Sequence, residues 1–288
     1  LAGVGRADLD FFLAVGDLSY EDTRREEEWC AFVTEQVGPG YPFQLLAGNH
    51  EDEPEGDDGY IARYAACLPD RIGVTGIYAH QYWFDYPRAA PLARFILIDA
   101  DLNRNGQDIE YCKNGEQENC AWLAARIDEA RAHGLWTIVG VHKNCFTIGD
   151  KPCEIGVELV NLLAEKRVDL VIQGHDHGYQ RSKQVRLGES CPALVEEEYN
   201  PNCIAGDGAG DRYTRGDGML WVISAVGGVP MYDIHTDDPE VGYLTTWMEK
   251  RAESTGFLKV TVTRDRLDAE FIATTGEFSD KFTIAPPP

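Results

Sequence analysis

Four short polar motifs, each placed directly after a strand-like apolar run, constrain the fold of this chain more than any other feature. The runs and the motifs that follow them are residues 10–15 with Gly16–Tyr20, 43–46 with Gly48–Glu51, 135–141 with Val141–Lys143, and 168–173 with Gly174–Arg181. In an open α/β sheet, ligands bind at the edge where the strands end. The sequence therefore predicts that polar side chains from four separate strands meet at one edge.

Helical patterns alternate with the apolar runs along most of the chain. The spacing of apolar residues predicts helices over 22–37, 117–132 and 154–166, and further strands over 77–84, 94–99, 219–226, 256–263 and 268–274. This alternation is typical of an α/β fold with a mixed sheet between helices. Residues 186–218, rich in Gly, Glu, Asp and Pro, predict a long surface excursion. We expect one domain over residues 1–284 and a proline-rich tail or linker over 285–288.

The charge balance limits the partners of the chain. It has 288 residues with 26 basic and 49 acidic side chains, a formal net charge of −23. Such a surface repels nucleic acids and anionic membranes, so we expect no nucleic-acid binding by electrostatics. It also repels phosphate at long range, so a phosphate site needs local positive charge, which metal ions supply. No apolar run of about 18 residues occurs, so no membrane span is predicted.

The cysteine count is even, which favours disulfide bonds. Chain order suggests three local pairs that close short polar loops: Cys112 with Cys120, Cys145 with Cys153, and Cys191 with Cys203. Eight cysteines allow about a hundred pairings, and free buried thiols in a cytosolic enzyme are the alternative. Because six of the eight lie in polar loops rather than apolar runs, we expect a secreted or extracytoplasmic protein.

The first two motifs offer oxygen and imidazole ligands. Asp17 has a carboxylate that can bridge two metal ions, and Tyr20 adds a phenol. Asn49 offers a neutral oxygen and His50 an imidazole. Taken singly, each motif is also a common turn, with a surface histidine in the second.

The last two motifs supply further histidines. His142 ends a strand, where a single histidine is usually structural. His175 and His177 stand at positions i and i+2, so on extended backbone they face the same way. Four of the seven histidines thus follow the ends of three predicted strands. Mixed imidazole and oxygen ligands suit zinc, iron or manganese, so the set together predicts a metal site.

These motifs, in this order, resemble those of the calcineurin-like metallophosphoesterases, over roughly residues 8–284. Two details resemble the purple acid phosphatases in particular. Tyr20 follows Asp17 by three residues, as in Gly-Asp-x-x-Tyr, and Gly174–Arg181 matches Gly-His-x-His-x-Tyr-x-Arg. The resemblance implies a four-layer αββα fold, a β-sandwich of mixed sheets flanked by helices.

The resemblance also implies a role for each motif residue around two metal ions, Fe(III) and a divalent Zn, Fe or Mn. The implied ligands are Asp17 as the bridge, Tyr20 and His177 on Fe(III), and Asn49, His142 and His175 on the divalent ion. His50 would contact the phosphate, and it and Asp17 would be the catalytic residues. The ions would lower the pKa of a bound water to produce hydroxide, which attacks phosphorus.

One family motif has no counterpart here. The carboxylate of the family's first motif should lie on a strand well before Asp17, but the chain begins 16 residues before it. Asp10 cannot replace that ligand, because it lies at the opposite end of the strand, roughly 23 Å from Asp17. Either the sequence lacks an N-terminal stretch with the first strand, or the site lacks a ligand. We favour the first, because an exposed central strand edge would be a liability.

Two basic residues are candidate substrate contacts. Lys143 follows His142 where plant-type members often carry further histidines, and Arg181 ends the fourth motif. The alternatives are a solvated lysine and a structural arginine paired with a carboxylate. The expected function is hydrolysis of a small-molecule or exposed phosphate ester, a monoester or a diester. The alternative is a non-catalytic structural or binding protein on the same fold that lacks one metal ligand.

Overall fold

The computed structural model describes residues 1–20, 25–51, 60–104 and 106–287. Its helices are α1 Ala2–Arg6, α2 Glu26–Val37, α3 Ile61–Cys67, α4 Glu118–Ala132 and α5 Val157–Glu165. Its strands are β1 Phe12–Val15, β2 Phe43–Leu46, β3 Thr75–Ile77, β4 Gln81–Tyr86, β5 Ala93–Ile98, β6 Leu102–Arg104, β7 Gln107–Ile109, β8 Trp136–Val141, β9 Leu170–Gln173, β10 Tyr179–Ser182, β11 Gln184–Val185, β12 Ile204–Gly206, β13 Arg212–Thr214, β14 Trp221–Ser224, β15 Leu244–Trp247, β16 Gly256–Val262, β17 Leu267–Ala273 and β18 Lys281–Ala285.

An eight-stranded mixed sheet is the largest element, in the order β15-β10-β14-β9-β8-β5-β4-β3. Its four central strands, β14, β9, β8 and β5, are parallel, and antiparallel strands complete both sides. Every residue of β5 and β8 is buried. Their near-continuous apolar sequence is what a strand covered on both faces requires.

A second layer of strands packs on one face of this sheet. It consists of the parallel pair β1-β2 and the four-stranded sheet β13-β18-β17-β16. The core between the layers is apolar and aromatic: Phe11 packs edge-on against Phe84 and Phe95, and Tyr179 against Phe271. Alternating buried and exposed residues along β17 show that its other face is open, as in a half-covered antiparallel sheet.

Helices cover the outer face of the eight-stranded sheet and the outer face of the β1-β2 pair. Leu123 and Ile127 of α4 and Leu159 and Leu163 of α5 pack in one core cluster with β5, β8 and β9. On the other side, α2 and α3 share a cluster with β2, which includes Trp29 of α2. The layers are therefore helix, sheet, sheet and helix, so the predicted fold class is confirmed.

None of these helices is both long and apolar enough to cross a bilayer, within the part of the chain that the structure describes.

Several predicted elements have different boundaries. The predicted strand 77–84 is interrupted, because Ala79 adopts φ 68° and the chain turns between β3 and β4. The predicted helix 154–166 begins only at Val157, after Gly156 with φ 83°. The first residues of the predicted helix 22–37 lie outside the described residues. β18 ends at Ala285, the first residue of the predicted tail.

Four disulfides join all eight cysteines. The three predicted pairs, Cys112–Cys120, Cys145–Cys153 and Cys191–Cys203, are confirmed. A fourth, not predicted as a pair, joins Cys30 of α2 to Cys67 of α3. Complete pairing favours an oxidising compartment over a cytosolic one.

Candidate metal centre

The carboxyl ends of β1 and β2 in one sheet and of β8 and β9 in the other lie next to one another, so the four sequence motifs meet there. The connections between them are direct. The backbone N–H of Gly174 donates to the carbonyl of His142 at 2.9 Å. The ring Nδ1–H of His142 donates to the carbonyl of Val15 at 2.8 Å. These bonds fix the loops after β1, β8 and β9 relative to one another.

Two glycines permit this close approach. Gly16 has φ 82°, and a Cβ there would lie 2.3 Å from Nδ1 of His142. A Cβ on Gly48 would lie 2.3 Å from both the amide nitrogen and Oδ1 of Asp17. Any side chain at these positions would separate the loops, so glycine precedes the candidate ligand in both motifs for a steric reason.

Glu51 organises the first two motifs, a role that the sequence analysis did not assign. Its side chain is fully buried and accepts backbone N–H bonds from Asp17 at 3.0 Å, Leu18 at 2.7 Å and Gly48 at 2.9 Å. Burial, with the nearby Asp17 carboxylate, raises the pKa of Glu51 to about 7. Three converging donors hold Asp17 in its left-handed conformation, φ 51°.

The Asp17 carboxylate lies in the middle of the cluster. Its Oδ1 is 3.1 Å from Nε2 of His142, and its Oδ2 accepts the hydroxyl of Tyr20 at 2.6 Å. Burial alone would raise the pKa of Asp17, but the field of His142 and the hydrogen bonds from His142 and Tyr20 hold it well below its usual range. An ionised carboxylate with neighbours on both oxygens is suited to bridging two cations.

One group of donors lies on the Oδ1 side of Asp17. Because Nδ1 of His142 is bonded to Val15, its Nε2 faces the cluster, 3.1 Å from Oδ1 of Asn49. His175 completes the group, since one donor atom each from Asp17, His142 and His175 lie within 4.8 Å of one another. Two imidazoles, an amide oxygen and a carboxylate are ligands that zinc, iron or manganese accept.

A second group lies on the Oδ2 side. The hydroxyl of Tyr20 is 2.9 Å from Nε2 of His177 as well as 2.6 Å from Asp17. The ring of His50 packs against that of Tyr20, with centroids 4.5 Å apart, and its Nε2 is 4.0 Å from Oδ2 of Asp17. His50 is about one-third exposed, so it reaches the open side of the cluster.

The structure thus brings together the seven residues that the motifs predicted, and their chemistry fits two metal ions. The seven are Asp17, Tyr20, Asn49, His50, His142, His175 and His177. Nitrogen and neutral oxygen donors are on one side of a shared carboxylate, and a phenol with an imidazole is on the other. Their roles as ligands stay a prediction.

Arg181 is not placed for the predicted contact with substrate. Its side chain is buried, donates to both carboxylate oxygens of Asp280 at 2.8 Å, and also contacts Asp211 and Tyr213. These bonds connect β10 with β13 and the segment before β18. The geometry matches the structural alternative, an arginine paired with carboxylates.

Lys143 is largely occupied by carboxylates. Its Nζ lies 2.8 Å from Oδ2 of Asp101 and 3.5 Å from Oε1 of Glu154. Asp101 also binds Lys113 at 2.9 Å. A phosphate group would therefore have to compete with two carboxylates for Lys143, which is the substrate contact predicted from the sequence.

Two further residues at the site were missed by the sequence analysis. The ring of Tyr232 stacks on that of His177 with centroids 4.1 Å apart. Glu154 places Oε2 2.5 Å from Nε2 of His175. Neither lies in a motif, and both reach the site from loops distant in sequence, so no local pattern indicates them.

Comparison with known proteins identifies the family. The calcineurin-like phosphoesterase model matches residues 2–179. The chain belongs to that family. Purple acid phosphatase 22 of Arabidopsis thaliana is 26% identical over 67% of this chain and 43% of its own length. Phosphoenolpyruvate phosphatase of Allium cepa is 26% identical over 60% of this chain and 36% of its own length. The resemblance to purple acid phosphatases is confirmed, and the chain spans less than half the length of these relatives.

Solved structures share the fold of this phosphoesterase chain. The purple acid phosphatase PPD1 from yellow lupin seeds has a TM-score of 0.65 and 17% identity, covering 97% of this chain and 47% of its own. PhoD has a TM-score of 0.56 and 14% identity, covering 99% of this chain and 66% of its own.

Proposed function

We propose that this chain carries a dinuclear metal centre that hydrolyses phosphate esters. The observation that carries the proposal is the position of Asp17. One of its oxygens is 3.1 Å from His142, and the other is 2.6 Å from Tyr20. A single carboxylate between two separate donor groups is the arrangement that two neighbouring ions require.

The metals themselves are part of the proposal. Phenolate is a hard oxygen donor that favours a trivalent ion, so we assign Fe(III) to Tyr20 and His177. Asn49, His142 and His175 take a divalent Zn, Fe or Mn. When bound, the ions supply Lewis acidity, which polarises the phosphoryl oxygens and lowers the pKa of a water molecule.

The chain's own side chains bind and orient the ester. His50, which is partly exposed beside Asp17, would donate a hydrogen bond to a phosphoryl oxygen. Lys151 is a second candidate contact. Its Nζ lies 5.6 Å from the ring centre of Tyr232, which stacks on His177. Within the described ranges Lys151 forms no salt bridge, and its charge acts on the nearby carboxylates of Glu154 and Asp176.

The substrate class and the compartment follow from the same features. A small or exposed phosphate ester, a monoester or a diester, fits a site at the open edge of a sheet. The four disulfides fit a secreted protein. We treat residues 1–284 as one phosphoesterase domain. A non-catalytic member of the family is the competing function.

Metal analysis combined with activity tests the proposal. The purified protein should contain two metal ions per chain and hydrolyse p-nitrophenyl phosphate. Asp17→Asn should lower both metal content and turnover, since it removes the shared charge, whereas Asp265→Asn on an exposed hairpin turn should change neither. A chain that binds two ions without turnover of monoester or diester would favour the non-catalytic alternative. A chain that binds no metal would contradict the dinuclear centre.

A further inference from the structure

Glu154 and His175 make a contact that the proposed function does not use. Oε2 of Glu154 and Nε2 of His175 lie 2.5 Å apart. Both atoms are buried, and neither makes a hydrogen bond of standard geometry among the described residues, so this close ion-pair contact is the interaction that each of them has. From this contact we propose that Glu154 positions His175 for metal binding, an inference that rests on the proposed dinuclear centre.

The contact decides which nitrogen of His175 can bind a cation. An imidazole whose Nε2 is held by a carboxylate carries its proton there, so only Nδ1 has a free lone pair. In His142 the two ring nitrogens have the opposite roles. Its Nδ1 is held by the carbonyl of Val15, and its Nε2 faces Asp17 and Asn49. Both histidines of this donor group therefore have one nitrogen anchored by an oxygen.

Glu154 is itself held in place by lysines. Its Oε1 lies 3.5 Å from Nζ of Lys143, which leaves Oε2 to His175. Its backbone carbonyl accepts Nζ of Lys113 at 2.8 Å, and its N–H donates to the carbonyl of Asn144 at 3.1 Å. A carboxylate fixed at both backbone and side chain can orient a partner ring.

The neighbouring disulfide adds a further constraint. Cys153, the residue before Glu154, is bonded to Cys145, three residues after His142. The loop that delivers Glu154 therefore begins and ends next to the metal site. This explains why a residue outside the four motifs reaches His175.

A carboxylate behind a metal-binding imidazole fixes its tautomer and its ring orientation, and it raises the basicity of the free nitrogen. Loss of such a partner typically lowers metal affinity by about 10–100-fold. We expect the loss at one ion only, the one bound by Asn49, His142 and His175.

The test is a calorimetric titration of metal-depleted protein with Zn²⁺ alone. Glu154→Ala should weaken one binding event about 10–100-fold. Glu154→Gln should weaken it less, because the amide oxygen still accepts from Nε2–H. Glu158→Gln, the same charge change on an exposed residue of α5, is the matched control and should bind like the unchanged chain.

The outcomes separate this inference from the proposed function. Unchanged affinity in Glu154→Ala overturns the positioning role but leaves the dinuclear centre intact. Equal losses in the Ala and Gln variants mark Glu154 as a metal ligand itself and also overturn that role. Absence of Zn²⁺ binding by the unchanged chain contradicts both. If the Ala variant fails to fold, ¹⁵N spectra of the unchanged zinc-loaded protein decide, since the role requires His175 protonated at Nε2.

Discussion

The hydroxyl of Tyr20 donates to Oδ2 of Asp17 at 2.6 Å, so one proton lies between two groups proposed to bind the same ion. Burial and the charge of Asp17 raise the pKa of Tyr20 far above its ordinary value. A trivalent cation would have to displace this proton. Nε2 of His177 lies 2.9 Å from the same hydroxyl, so it would be the third donor to that ion.

Tyr20→Phe removes the phenol but keeps the ring that packs on His50. We expect it to abolish any visible absorption band of the iron-loaded protein and to weaken binding of one ion only. Asp17→Asn should weaken both ions, because Asp17 serves both donor groups. Visible spectroscopy and metal analysis of the two variants measure this. A colourless protein that holds two zinc or manganese ions and keeps full activity in Tyr20→Phe would contradict the iron assignment.

Arg181 should matter for stability rather than for metal binding. Arg181→Met leaves the carboxylate of Asp280, which is almost fully buried, without its bidentate partner. We expect the free energy of unfolding to fall by about 3–5 kcal/mol. Arg266→Met, which breaks an exposed pair with Asp268, should cost less than about 1 kcal/mol. Denaturant unfolding measures both, and a loss of metal in Arg181→Met without loss of stability would point to a role in the site.

The motifs made the centre of the site predictable because their requirements are local. A glycine that lets two loops approach, followed at once by a donor side chain, is visible in the sequence at Gly16 and Gly48. Parallel pairing then brings the ends together two by two, β1 with β2 and β8 with β9. The packing of the two sheets brings the two pairs together.

Contacts between distant segments were not predictable in this way. Glu154 and Tyr232 reach the histidines from loops that contain no motif. The structural role of Arg181 is not visible in the sequence, because its partner Asp280 lies 99 residues away. The strand β10 was also missed, since Tyr179–Ser182 is polar in sequence. It is nevertheless buried, because its polar groups find partners inside the protein.

Because of Glu240, the free energy of unfolding should decrease as the pH rises from about 4.5 to about 7. Burial raises the pKa of Glu240 to about 7 from an ordinary 4.5, although backbone N–H groups of Thr147 and Glu197 donate to it. In this window the folded state keeps a proton that the unfolded state has released. The contribution is present in full below about pH 4.5 and is lost above about pH 7, and it amounts to about 3 kcal/mol.

Glu240→Gln should therefore flatten the dependence of unfolding free energy on pH across that window. Denaturant unfolding at pH 4.5, 6 and 8 measures the slope in both proteins. Glu249→Gln, at an exposed residue whose side chain accepts from the half-buried Trp247, serves as the control and should keep the original slope. Parallel slopes in Glu240→Gln and the unchanged chain would show that folding does not change the pKa of Glu240.

Two disulfides of equal loop length allow stability to be separated from metal binding. Cys112–Cys120 and Cys145–Cys153 each join residues eight positions apart, so the chain-entropy contribution of each is about 2.5 kcal/mol. Replacing either pair by alanines should lower the free energy of unfolding by a similar amount. Loss of Cys145–Cys153 should weaken Zn²⁺ binding more than loss of Cys112–Cys120, because the 145–153 loop leads directly into Glu154, whereas Lys113 beside Cys112 contacts the backbone carbonyl of Glu154. Denaturant unfolding and Zn²⁺ titration of both double variants measure the two effects. Equal zinc affinity in both would show that the 145–153 loop keeps its position at the site without the covalent bond.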